Sequence, residues 1–157
     1  MTVLVDGVAV LNGNTNALFN PMIEAGFLHA RCLLEFLGLK EKKGRLVAFG
    51  KRQADDVGIE DFITAEGQYL NRVSPALALA TYDGTADDAE RALVAMIRLA
   101  NKGLAHFSSS SLSGYTDKEL RIACGGIPRL IENNLYSKLG VEMPKPHQFI
   151  PSVPKAL

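Results

Sequence analysis

The sequence predicts a mainly α-helical fold, a helical bundle of about four to five helices with a small N-terminal β-hairpin. Three observations carry that reading. Thr85–Ser108 is a capped amphipathic stretch, residues 21–37 repeat apolar side chains at helical spacing, and Thr116-Asp-Lys-Glu119 is a full capping box ahead of a third apolar pattern. With 157 residues, 47% hydrophobic and 22% charged, the chain has the length and composition of one globular domain, 1–157. Lys plus Arg and Asp plus Glu stand at 17 each, so no global basic field announces nucleic acid, and any such binding must be local. Cys32 and Cys124 form no CxxC pair and sit in apolar surroundings, which reads as two buried free thiols in a reducing compartment. No apolar run reaches the roughly 18 residues of a membrane span. The N-terminus lacks the charged start of a signal peptide, so the expected location is cytoplasmic, with no membrane partner.

In chain order, VLVDGVAVL at 3–11 places two β-branched runs around Asp6-Gly7, a hairpin signal. Two strands alone are marginal in water, so this piece should lie on the helices or pair with RLVAFG at 45–50. Asn20-Pro21 reads as an N-cap followed by proline, and Gly38 as the stop, of a helix over 21–37 whose start could lie a few residues earlier. Its core stripe is Phe19, Ile23, Phe27, Ala30, Leu34 and Leu37, widened by Met22, Gly26 and Leu33. Glu24, Leu28, Arg31 and Glu35 form the other face. His29, on the shoulder of the stripe, reads as a hydrogen-bonded structural histidine that could approach the site. Glu24 and Glu35 lack the Glu-x-x-His pairs of a di-metal bundle. KEKKGRLVAFGKR at 40–52 concentrates basic residues in an expected loop, a solvated connector or a supplementary phosphate grip. In DDVGIEDF, 55–62, the acids should cap a short helix burying Val57, Ile59 and Phe62. Gln68–Ala80 reads as a helix interrupted near Ser74-Pro75.

The central helix, 86–107, turns Leu93, Ile97, Ala100, Leu104 and Phe107 to the core and sets Arg98, Lys102 and His106 in one line opposite, with Asn101 on its flank. An imidazole near neutral pKa beside two cations can exchange protons while Arg98 and Lys102 hold a phosphate. The same line also reads as a solvated polar face. The third helix, 117–139, carries Gly125-Gly126 and Pro128, which should kink or split it. Gly140 closes it, and 141–157 reads as an extended Pro-rich tail.

The stretches MIEAGFLHARCLLEFLG, DDVGIEDF and NKGLAHFS resemble the HEPN superfamily of small α-helical proteins over roughly 20–110, in an uncharacterised bacterial branch. That resemblance implies a bundle that forms a symmetric homodimer, and a metal-independent ribonuclease or a toxin or defence component acting without cofactor. The family signature is Arg, a polar residue, then His after four to six residues. His106 matches the His. Arg98 stands seven intervening residues before it, and Asn101 and Lys102 occupy the expected spacing.

Two classes of function follow. In the first, His106 takes the proton of a ribose 2′-hydroxyl while Arg98 and Lys102 stabilise charge on the attacked phosphate of an RNA or nucleotide. In the second, the chain is a non-catalytic homodimeric interaction module, with apolar groups such as Leu99 beside the basic line forming the seam.

Overall fold

The computed structural model describes residues 2–14, 16–103 and 114–145, and within them the side chains other than those of Val3, Leu11, 16–19 and Lys102. The fold is mainly α. Two antiparallel hairpins accompany the helices: β1 (Thr2–Val5) with β2 (Val8–Asn12), and β3 (Leu39–Lys42) with β4 (Arg45–Ala48). The helices are α1 (Asn16–Phe36), α2 (Pro75–Ala80), α3 (Ala86–Arg98), α4 (Asp117–Ile131) and the single turn α5 (Ser137–Leu139). A 3-10 turn spans Ile59–Asp61, and π-helical turns extend α3 over Leu99–Gly103 and join α4 to α5 over Glu132–Tyr136.

The first hairpin forms where Asp6-Gly7 places it. Asp6 and Gly7 take φ of 50° and 78°, the left-handed pair that matches a tight turn to strand twist. It pairs neither with 45–50 nor lies on the helices, for its described side chains are all exposed. The basic run over 40–52 is a second hairpin rather than a loop. Lys43 and Gly44, at φ 53° and 82°, repeat the same turn, while Leu39 and Leu46 anchor its inner face in the core.

α1 starts at Asn16, four residues before the proposed Asn20 cap, and encloses Pro21. Only the C-terminal half of its stripe is core. Ala30, Leu34 and Leu37 are buried and Phe27 is half-buried, whereas Met22, Ile23 and Leu33 face solvent. Phe19 lies among the side chains not described. Gly38 ends the helix at φ 91°, and a Cβ there would also press on Arg72. α2 begins at Pro75 under a Ser74 cap whose Oγ accepts the Leu77 N–H at 3.2 Å. Residues 68–74 carry no helix, with Tyr69 bridging Ile63, so the helix expected over 68–80 is real only in its second half.

The middle of α3 is buried on every side. Ala92 to Ile97 are six consecutive buried residues, and Leu99 and Ala100 are buried beyond them. α1 and α4 pack on one side, and β3 and β4 lie over the Arg98 side, where the Leu46 N–H donates to Glu90 at 2.9 Å. Thr85 caps α3 through the Asp88 N–H, and the Thr116–Glu119 box caps α4, as the sequence predicts. Gly125, Gly126 and Pro128 do not split α4. Gly140, at φ 69°, terminates the last turn, and 141–145 carry no regular structure; the tail from 146 onward lies outside the described residues.

The 49–73 segment is tied down by Glu60. Its Oε1 accepts from Arg52 Nε at 2.8 Å and Arg72 Nε at 2.6 Å, while Arg52 Nη2 caps α1 at the carbonyls of Glu35 and Phe36. Arg52 and Lys40 also sit over the Phe49 ring, at 5.0 and 5.3 Å from its centroid. Ile59 is buried beneath this knot, but Val57 and Phe62 are exposed, and the acids cap as expected, Asp61 accepting the Gly58 N–H at 2.8 Å. Burial works against the Glu60 charge. The hydrogen bonds from Arg52, its own backbone and Arg72 outweigh it and lower the pKa from an ordinary 4.5 to about 2. A depressed folded-state pKa means that this stabilisation is complete above the unfolded value and disappears as pH falls toward 2. Melting temperature followed from pH 6 to pH 2 should therefore fall less steeply for Glu60→Gln than for the parent chain. Parallel profiles would show that Glu60 does not link folding to pH.

Candidate functional site

Of the predicted site residues, Arg98 is placed most fully. It ends α3 between buried Ile97 and Leu99, and its guanidinium emerges half-exposed toward the β3–β4 turn. There it donates to Glu41 Oε1 from Nη2 at 2.9 Å and from Nε at 3.2 Å. The same carboxylate oxygen accepts the Gly44 N–H at 2.6 Å, so one acid both closes the turn and holds the arginine. Hydrogen bonds to Tyr115 and then to Glu41 raise the Arg98 pKa further and keep it charged. Asn101 is half-buried in the π-helical turn. The Lys102 side chain and all of His106 lie outside the described residues, as do Leu104 and Phe107, so the full line of cations is not drawn by the structure.

Arg98 walls a cleft of about 330 Å³ with Arg45, Arg91, Asp87, Glu90 and Tyr115. Each arginine there already has a carboxylate. Arg45 Nε meets Glu90 at 3.2 Å, and Arg91 Nε donates to Glu119 at 2.6 Å while its Nη2 donates to the Gly114 carbonyl at 2.6 Å. Glu119 is buried, and its hydrogen bonds from Thr116, first from the hydroxyl and then from the backbone, followed by Arg91, lower its pKa to about 2. Every arginine of the cleft is charge-compensated, and an incoming phosphate would compete with a carboxylate for its guanidinium. Glu41, Glu90 and Tyr115 were not singled out from the sequence. The one signal for Glu41 was an acid isolated within a basic run, opposite which some cation had to fall.

A second surface is defined by apolar groups. The N-terminal half of α1 and the first hairpin expose Leu4, Val5, Val8, Val10, Met22, Ile23 and Leu28. Leu99, expected on an outer seam, is instead buried at 3% exposure, in the π-helical turn that packs on α1. Ile23, Phe27 and Leu33 of α1 face Leu120 and Ile127 of α4 across an apolar groove of about 450 Å³. His29, read as a hydrogen-bonded structural histidine, lies exposed on its lining, and Cys124 lines it too. Both Cys32 and Cys124 are free but exposed, correcting the buried thiols read from their apolar neighbours; those of Cys124 line the open groove. Glu35, weighed as a metal ligand, pairs with Arg31 at 2.9 Å. Among the described residues no helix is long and apolar enough to cross a membrane.

The chain was compared with protein-family models, curated proteins and solved structures, and none of them matches it.

Proposed function

We propose that this protein is a non-catalytic interaction module whose helices form a bundle and whose copies assemble as homodimers through the N-terminal arm, 2–33. The observation that carries this reading is the arm's exposed apolar surface, with Leu4 at 59%, Val8 at 65% and Met22 at 60% exposure on consecutive elements. Exposed apolar side chains concentrated on neighbouring elements of the chain favour association, whereas singly scattered ones do not. The compensated arginines of the cleft favour this reading over phosphate chemistry, and the two free thiols fit a reducing, cytoplasmic setting. Sedimentation over a hundredfold concentration range should show a monomer–dimer equilibrium, and Leu4→Ser with Val8→Ser should shift it to monomer. A parent chain that stays monomeric at every concentration overturns the proposal.

The second reading is metal-independent phosphate handling, as the HEPN resemblance implies, with His106 as the base. Its support is that Arg45, Arg91, Arg98 and Tyr115 wall one cleft. In it, phosphate displaces Glu41 from Arg98, Lys102 adds charge, and His106 takes the 2′-hydroxyl proton of RNA. Cleavage of generic RNA in chelator should then fall about 10²–10⁴-fold in His106→Ala. A parent chain that neither cuts nor binds RNA at low salt dismisses this reading.

A further inference from the structure

The first hairpin has no polar face. The register pairs Val5 with Val8 and Leu4 with Ala9, so the pleat sends Leu4 and Ala9 to one side and Val5 and Val8 to the other. A strand pair resting on its own domain alternates apolar and polar positions; near-continuous apolar runs belong to strands covered on both faces. Two strands alone are also marginal in water. Yet every described side chain from Thr2 to Asn12 is exposed, so cover must come from elsewhere.

The apolar groove between α1 and α4 is the complementary surface. None of its lining side chains is a carboxylate, an ammonium or a guanidinium, and the hairpin carries a single charge, Asp6 at its tip. His29 on the groove offers that carboxylate a hydrogen-bond donor. The groove is also open, for a Cβ built on Gly26 in its wall meets no atom within 4 Å. Size argues for a reciprocal arrangement. The eleven hairpin residues and the eleven lining the groove bring each copy to the roughly 20–30 residues a side that stable interfaces use. A twofold axis supplies both contacts at once, since whatever one copy inserts it also receives.

We propose that hairpin β1–β2 of each copy lies in the α1–α4 groove of a second copy, with Asp6 at the His29 end. This rests on the homodimer reading and specifies where the two copies meet.

The test uses the full chain. Gly26→Trp fills the groove where there is room for it and replaces a helical glycine, so the melting temperature should hold or rise while the dimer dissociation constant increases on the order of tenfold or more. In a Cys32→Ser background, the thiol introduced by Val8→Cys should oxidise onto Cys124 of another copy, giving a covalent dimer whose linked peptides are identified by mass spectrometry. Cys124→Ser should abolish it. A dimer that survives Gly26→Trp unchanged and gives no link to Cys124 overturns the groove assignment while leaving the homodimer reading intact. A disulfide within one chain overturns it by placing the hairpin on its own groove. A parent chain that is always monomeric removes both the assignment and the reading beneath it.

Discussion

Gly126→Ala should destabilise the protein by about 3 kcal/mol or more, at the upper end of what overpacking costs. Gly126 is buried within α4, and a Cβ built on it lands inside the Tyr82 ring. The ring cannot withdraw easily, because Tyr82 packs against the core between α2 and α3. Burial raises the Tyr82 pKa, and its hydroxyl has no hydrogen-bond partner among the described residues. Tyr82→Phe should therefore change stability by less than about 1 kcal/mol or increase it, since it removes a desolvated group that gains nothing in return. Denaturant unfolding of Gly126→Ala, Tyr82→Ala and the double variant checks the geometry. If the ring is the obstacle, the double variant must be more stable than additivity allows. Strict additivity would mean that the ring and the glycine do not meet.

The second large effect is expected on α3, on the side that the sequence assigns to a polar line. Ala95→Asp should cost about 3–5 kcal/mol, the loss associated with an uncompensated buried charge. Ala95 is 0% exposed, and at about 100° per residue it falls among Arg91, Arg98 and Lys102, opposite Leu93 and Ile97. Were that line a solvated surface, Asp would be nearly neutral there. Ile97→Ala, on the side that sequence and structure both place in the core, should lose about 2–5 kcal/mol. Chemical denaturation of the two variants separates a helix covered all round from an amphipathic one. An Ala95→Asp loss below about 0.5 kcal/mol, within the range of surface substitutions, would restore the solvent-facing line.

The sequence by itself determined features whose chemistry is local. Asp6-Gly7 turned the first hairpin because left-handed backbone is tolerated there, Thr85 and Thr116 capped their helices through side chains three residues or fewer from their donors, and Gly38 and Gly140 stopped helices with positive φ. Ile97 and Leu34 were legible as core because a 3.6-residue period reports one face whatever it packs against. Only the tertiary structure decided the rest. The Lys43-Gly44 hairpin hid in a basic run because charge conceals a strand whose inner face shows only Leu39 and Leu46. Once folded, that hairpin packs on α3 and sets Glu41 against Arg98 across 57 residues of chain. The same nonlocality exposed half of the α1 stripe. An apolar period shows that a face seeks cover, but whether the cover is the chain's own core or another molecule depends on where distant elements come to rest.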